Sequence, residues 1–233
     1  GSVHGGYVDP AAITYTVTRR PDGTVVASGI SATSVVLDAA VPDGELLAYT
    51  FEVTASYDGH TSDAAVSNSV VLGCFTPPHT WNFASHDDLA GTTVIDANND
   101  GKAWTYDSYS KHMSIQYNST LAMDDWFILA PLKLQAGYSY QLGYETKAAS
   151  ARYSEHLEVS LGTQATADAM TVVLTPRYEI AESDFTAKSV KFSVDADGTY
   201  FIGFHGCSDK DRNRLYLRNI SVTAGAAPVA PQG

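Results

Sequence analysis

The chain has 233 residues, with 26 Asp and Glu against 14 Lys and Arg, and a formal net charge of −12 at pH 7. Nucleic acids and anionic membrane surfaces attract basic proteins, so this balance argues against both as partners. Hydrophobic residues make up 44% of the chain, so we expect a folded core. No apolar run approaches the roughly 20 residues of a membrane helix, so we expect no membrane insertion.

Short alternating runs of apolar and polar residues recur along the chain. They are Ile13–Thr18, Tyr49–Ala55, Tyr138–Tyr144, Leu157–Leu161, Val190–Val194, Tyr200–Phe204 and Leu215–Val222. Alternate side chains of such a run lie on one face, which can be buried while the other meets water. Pro21-Asp22-Gly23 and Asp58-Gly59 have the composition of tight turns. The pattern predicts an antiparallel, all-β protein. We read Gly1-Ser2 as residues left by cloning, and we expect the chain to be part of a longer protein.

Residues 1–73 resemble a fibronectin type III module that lacks its first two strands. The segments that carry the resemblance to strands C, C′, E, F and G are, in order, Ile13–Arg19, Thr24–Ala27, Ser34–Leu37, Tyr49–Ala55 and Ala65–Leu72. A partial sandwich of this kind leaves an apolar inner face uncovered, which includes Tyr15, Val17, Phe51 and Val53. We therefore expect intermolecular contacts through this N-terminal module.

Residues 74–78 read as a linker, because Pro77 and Pro78 lack backbone donors and stiffen the chain. A second β domain is predicted over residues 79–223, followed by an Ala- and Pro-rich tail over 224–233. Trp81, Trp126 and Phe204 lie in strands of this second domain with polar alternate neighbours, so we expect them in its core.

The sequence Asp96-Ala-Asn98-Asn-Asp100-Gly101 places oxygen-bearing side chains at alternate positions of a tight loop. Calcium binds roughly 6–8 oxygens, and such a loop can aim successive side chains at one point. Asn, Asp and Gly are also the residues of a polar turn without metal, so spacing alone leaves both interpretations open. Asp107 stands at the twelfth position, as in an EF-hand, but strands and not helices flank the loop, so an EF-hand is rejected.

The second domain resembles the cleaved-adhesin family, also called choice-of-anchor J, found beside gingipain-type proteases. The resemblance is carried, in order, by Ile95–Trp104, Asp124–Leu134, Ala136–Leu142, Gly203–Asp209 and Leu215–Val222. It implies a jelly-roll β-sandwich, a bound calcium ion and an adhesive, non-enzymatic role. With the resemblance we favour calcium (Ca²⁺) at Asp96, Asn98 and Asp100, with Asp107 as a fourth ligand.

The sequence gives little evidence for a catalytic site. Asp124 and Asp125 are adjacent, so on a strand they point to opposite faces and do not share one substrate. His205 and Cys207 stand two residues apart, yet a core histidine is the simpler interpretation. The chain has two cysteines, Cys74 and Cys207, and their spacing does not decide whether they form a disulfide.

Tyr106, Tyr109 and Tyr117, with Lys111 and His112 between them, have the composition of an aromatic platform for sugars. Tyrosines are common in any strand, and we favour that simpler interpretation. The leading function is non-catalytic adhesion at the cell surface or in secreted form, with a host surface protein or a glycan as partner. The alternative is a carbohydrate-binding or spacer module that serves a secreted hydrolase.

Overall fold

The computed structural model describes residues 8–37, 41–42 and 44–225. The chain folds into two units, the first ending at Leu72 and the second made mainly of the residues from Gly73 onward. Both are built of antiparallel sheets, so the prediction of an all-β, antiparallel protein is confirmed. No helix in these residues is both long and apolar enough to cross a membrane.

The N-terminal unit is one six-stranded sheet with the order β2-β1-β3-β4, and β5 and β6 also pair with β3. Its strands are β1 (Thr14–Arg20), β2 (Val25–Ile30), β3 (Leu46–Tyr57), β4 (His60–Thr61), β5 (Ala65–Val66) and β6 (Val70–Gly73).

One predicted strand of this unit is wrong. Among the described residues, Ser34–Leu37 pairs with no strand, and the segment predicted as strand G is split into β5 and β6. The valines at 35 and 36 suggested a strand, but strand preference depends on burial against neighbours, and Val36 is 94% exposed. The fibronectin type III resemblance of this unit stays a prediction.

The apolar face of the N-terminal sheet lines a groove of about 490 Å³. Tyr15 and Val17 of β1, Ile30 of β2, and Phe51 and Val53 of β3 contribute to its wall. Intermolecular contacts through this face stay a prediction.

The second unit, called here the jelly-roll unit, is a sandwich of two six-stranded sheets. The front sheet has the order β16-β13-β18-β10-β9 with β7 on β18, and the back sheet has the order β15-β14-β17-β11-β8 with β12 on β17. The strands are β7 (His79–Trp81), β8 (Thr93–Asp96), β9 (Thr105–Asp107), β10 (His112–Gln116), β11 (Asp125–Ile128), β12 (Leu132–Leu134), β13 (Tyr140–Ala148), β14 (Glu155–Gly162), β15 (Val172–Ile180), β16 (Thr186–Phe192), β17 (Gly198–Gly206) and β18 (Arg214–Ala224).

The core of the jelly-roll unit follows from strand alternation. Every second residue of β13, from Tyr140 to Ala148, is buried between the sheets. Tyr144 of the front sheet meets Phe204 of the back sheet edge to face, with ring centroids 5.2 Å apart. Trp81, Trp126 and Phe204 are all buried, as the sequence predicts, but Trp126 is buried in a separate cluster with Ile128 and Met170 on the outer face of the back sheet and not between the sheets.

Residues predicted as a linker are partly joined to the jelly-roll unit. The Phe75 N–H donates to the Pro131 carbonyl at 2.9 Å, and the Phe75 carbonyl accepts from the Lys133 N–H at 2.8 Å. The chain is therefore fixed in this sandwich before β7 begins. The predicted tail begins at Ala224, the last residue of β18, and its residues 226–233 lie outside the described part.

Candidate metal centre and binding groove

The predicted calcium loop joins two edge strands. β8 is the outermost strand of the back sheet and β9 that of the front sheet, and residues 97–104 run between them. The prediction that this loop connects strands and not helices is confirmed. Asn99 and Gly101 adopt positive φ angles of 55° and 78°. These left-handed positions turn the chain sharply and favour Asn and Gly.

Backbone amides hold the loop side chains in place. Asp96 accepts from the Asp100 N–H at 3.0 Å and from the Gly101 N–H at 2.8 Å. Asn98 accepts from the same Asp100 N–H at 3.1 Å, and its amide nitrogen donates to the Ala122 carbonyl at 2.7 Å. The side chains of Asp96 and Asn98 therefore both fix the backbone of the loop at Asp100.

Three carboxylates converge at this loop. One oxygen each from Asp96, Asp100 and Asp125 lies within 4.8 Å of the other two. Asp125 comes from β11 and is fully buried. Asp125 is not among the ligands predicted from the sequence.

Asp107 does not belong to this group. Its Oδ1 accepts from the Tyr109 and Ser110 N–H groups at 2.9 and 3.1 Å, and its Oδ2 lies 3.9 Å from the Nε2 of His112. The EF-hand spacing that suggested Asp107 fails because β9 carries the residue away from the loop and into a turn of its own. Asp125 takes the place of Asp107 in the group.

Two features of the group fit a cation. Asp100 Oδ2 and Asp125 Oδ1 are buried and have no hydrogen-bond partner in the described part of the chain, a costly state for carboxylate oxygens. Burial, and then the nearby charges of Asp100 and Asp96, raise the pKa of Asp125 to about 7. A hard divalent cation would satisfy both oxygens and neutralise the repulsion, so the residues present suit calcium.

The other candidate acids and nucleophiles are engaged elsewhere. Asp124 is half exposed and pairs with the Nε2 of His205 at 2.8 Å, and the His205 ring stacks on Trp126 with centroids 4.2 Å apart. Burial raises the pKa of the Cys207 thiol to about 11, which opposes a nucleophilic role. Cys74 and Cys207 are both free thiols.

A groove of about 660 Å³ lies beside the loop, at the edge where β8 and β9 border the sandwich. Trp104, Tyr106 and Lys111 line it. The Lys111 ammonium donates a hydrogen bond to the Ala84 carbonyl at 2.7 Å. Tyr109, in the turn between the lining residues Ser108 and Lys111, is 95% exposed. Three residues of the predicted sugar platform, Tyr109, His112 and Tyr117, do not line the groove, whereas Tyr106 and Lys111 do.

No family model and no curated protein matches the chain. Among solved structures, the chain is similar to the K3 cleaved adhesin domain of Lys-gingipain from Porphyromonas gingivalis, with 18% identity, 62% of this chain and 96% of that chain covered, and a TM-score of 0.51. The K1 domain of the same protein gives 19% identity, coverages of 59% and 92% and a TM-score of 0.48. The N-terminal cellulose-binding domain of Cellulomonas fimi β-1,4-glucanase C gives 14% identity, coverages of 63% and 95%, and a TM-score of 0.46.

The K3 comparison bears on the fold alone at this level of identity. It supports the predicted likeness to gingipain cleaved adhesin domains and the jelly-roll architecture. The finer assignment to choice-of-anchor J stays a prediction.

Proposed function

We propose that the jelly-roll unit is a non-catalytic, calcium-stabilised adhesion module of a secreted or cell-surface protein. Its partner is a glycan or a host surface protein, bound at the groove between β8 and β9. The observation that carries this proposal is the convergence of the three carboxylates of Asp96, Asp100 and Asp125. The loop that contains Asp100 joins the two strands that border the groove. Calcium at this group would fix the shape of the groove without taking part in any reaction.

The lining of the groove supports binding over hydrolysis. The part-exposed ring of Tyr106 supplies aromatic surface, while Thr105 and Ser108 supply hydroxyls, the mixture that sugar sites use. Within the described residues, no Asp or Glu lines the groove. Glycoside hydrolysis uses a pair of carboxyl groups on either side of the bond that is broken. Asp96 and Asp100 accept hydrogen bonds from backbone amides and Asp125 is buried, which suits a metal and not a substrate.

A second candidate function rests on the same groove. A carbohydrate-binding or spacer module that serves a secreted hydrolase needs the same aromatic lining and the same stable loop. The two functions differ in partner, since the accessory module binds the polysaccharide its hydrolase degrades, whereas an adhesin binds host surface molecules.

The test is a binding screen of the whole chain against a glycan array and a panel of extracellular matrix proteins, with calcium and with chelator. We expect binding that requires calcium and that falls in the variant Tyr109→Ala. Tyr153→Ala is the matched control, because this exposed tyrosine lies between β13 and β14, a segment that contributes no residue to the groove, whereas Tyr109 lies between the lining residues Ser108 and Lys111. Binding that ignores both calcium and Tyr109 would contradict the proposal, and plant polysaccharides as the only ligands would favour the accessory module.

A further inference from the structure

The outer face of the front sheet carries a row of basic and aromatic side chains. In β18, Arg214, Tyr216 and Arg218 alternate with the buried Leu215 and Leu217, so all three point away from the core. At about 3.3 Å per residue, this row extends for roughly 13 Å along the strand. A basic row is unexpected in a chain whose net charge is −12.

Cations and rings cluster around Tyr216. Lys147 stands opposite Tyr216 on β13, and its ammonium lies 4.9 Å from the ring centroids of both Tyr216 and Phe185. The Arg218 guanidinium lies 3.8 Å from the Phe185 centroid. The His112 ring meets Tyr216 edge to face at 5.0 Å. Such cation–ring contacts hold the positive charges in fixed positions.

Two acids approach this face. Glu145 pairs with Arg218 at 2.8 Å, and Asp107 lies 3.9 Å from His112. Burial lowers the pKa of His112 below its ordinary value, against the charge of Asp107, and the charges of Lys147 and Arg218 lower it further. Lys147 and Arg218 therefore contribute positive electrostatic potential at His112, although Glu145 and Asp107 are close by.

A small concavity of about 160 Å³ continues the row beyond Arg214. Lys102, Thr105, Ser114 and Gln116 line it together with Arg214. The Arg214 guanidinium donates to the neutral Gln116 amide oxygen at 3.1 Å. Across the described residues, neither Lys102, Lys147 nor Arg214 forms an ion pair with a carboxylate.

The concavity adjoins the groove, because Thr105 lines both. A chain-like ligand seated in the groove can therefore reach the basic row without leaving the surface of the unit. The ligand contacts available along this path are hydroxyls, the part-exposed ring of Tyr106 and cations without a carboxylate partner, which suits a sugar with anionic groups.

We propose that the ligand of this module is an acidic glycan, whose carboxylate or sulfate groups bind Lys102 in the concavity and Arg214 and Lys147 on the outer face of the front sheet. This inference rests on the proposed glycan-binding function and names the class of glycan. Opposite charge supplies the attraction, and the rings of Tyr216 and Phe185 hold the Lys147 ammonium in position on this face.

The test measures binding of the whole chain, in calcium, to polygalacturonate, dextran sulfate, neutral dextran and polyglutamate. We expect at least one acidic glycan to bind at least about 10-fold more tightly than dextran, and the affinity to fall as salt rises. Polygalacturonate and dextran sulfate separate the carboxylate from the sulfate as the recognised group.

The variant Lys102→Gln/Lys147→Gln should weaken binding of the acidic glycan by about 10-fold or more. Arg152→Gln/Lys210→Gln removes the same charge from exposed positions that line neither the groove nor the concavity, and it should change binding less than about 2-fold. Melting temperatures of both variants check the fold, since exposed substitutions usually cost little.

Equal binding of dextran and the acidic glycans, or equal losses in the two double variants, would overturn the acidic-glycan inference while the proposed function stands. Polyglutamate bound as tightly as the glycans would also overturn it, in favour of an acidic peptide. Failure to bind any glycan here or on the array would overturn glycan binding itself, and this inference with it.

Discussion

Asp96 and Asp125 stand directly opposite each other on the antiparallel strands β8 and β11. Like charges in this relation destabilise a sheet, because paired side chains lie on the same face and close together. Asp100 adds a third carboxylate to the pair. Without a counter-charge, the edge of the back sheet would be weakened where the groove begins. The pairing is therefore the strongest reason to expect a cation at this place.

Calcium should stabilise the jelly-roll unit. If free calcium is about 100 times its Kd, the ion adds about 2.7 kcal/mol to the free energy of unfolding. Chelation should then lower Tm by roughly 2–4 °C for each kcal/mol lost. Tryptophan fluorescence follows this unit selectively, because all three tryptophans of the chain lie in it. An unchanged Tm after chelation would mean that the ion is absent or without consequence.

The ligand set can be separated by isosteric substitutions. Asp100→Asn should abolish the calcium-dependent rise in Tm, because it removes one of the three converging charges. Asp107→Asn is the matched control, since an Asn oxygen can still accept from the Tyr109 and Ser110 amides. We expect Asp107→Asn to keep the full calcium response. A calcium response lost in Asp107→Asn and kept in Asp100→Asn would restore the assignment that spacing alone suggested.

The calcium-free protein should lose stability as pH rises. The pKa of Asp125 is about 7 in the folded chain against 3.8 ordinarily, so between these values the folded state holds a proton that the unfolded state has lost. Stability therefore falls from about pH 4 to about pH 7, by at most about 1.4 kcal/mol per pH unit from this group. Calcium requires the charged form, so its affinity should rise over the same range.

Asp125→Asn checks the origin of this pH dependence. In chelator at pH 8, the variant should melt at a higher temperature than the parent chain, because it removes a buried, repelled charge. In calcium it should melt at a lower temperature than the parent, because a ligand is lost. A variant that melts below the parent chain in both conditions would show that Asp125 is not a repelled charge in the calcium-free protein.

Local alternation predicted most of the fold. The runs around Tyr140–Tyr144, Leu157–Leu161 and Leu215–Val222 are strands in the structure because each places apolar residues on one face. β15 was missed, since its exposed valines and Pro176 show no clean period. It lies at the edge of the back sheet, where a proline is tolerated.

The metal site was predicted only in part, because local sequence patterns show neighbouring residues but not the pairing of distant strands. Asp96, Asn98 and Asp100 are close together in the sequence, so their spacing predicts the loop. Asp125 joins them through the pairing of β8 with β11, which sequence spacing does not show. The one available signal was the acidic pair that precedes Trp126, and it did not say which carboxylate turns inward.

Cys207 should react slowly with alkylating reagents. Burial raises the pKa of its thiol to about 11, so at pH 8 only about one molecule in a thousand carries the thiolate. The variant Cys74→Ser isolates this residue, and its alkylation by iodoacetamide is followed by mass spectrometry. We expect the rate to rise by about 10-fold per pH unit from pH 8 to pH 10. A rate that levels off near pH 8.5, as for an ordinary cysteine, would contradict the assignment.

Gly203 should be essential for the packing of Trp126 on the outer face of the back sheet. A Cβ at Gly203 would lie 2.9 Å from Trp126 Cε3 and 3.1 Å from Met170 Sδ, closer than carbon atoms pack. Trp126, Ile128 and Met170 form a buried cluster there, so the ring has little room to move aside. Gly203→Ala should therefore destabilise the jelly-roll unit by about 1–3 kcal/mol and shift the tryptophan emission to the red. Gly198→Ala, in the same strand, is the matched control, because the nearest atom to its Cβ is Tyr200 Cε2 at 3.5 Å, an ordinary contact. If both variants melt at the temperature of the parent chain, the close approach of Trp126 to Gly203 is not what holds this cluster together.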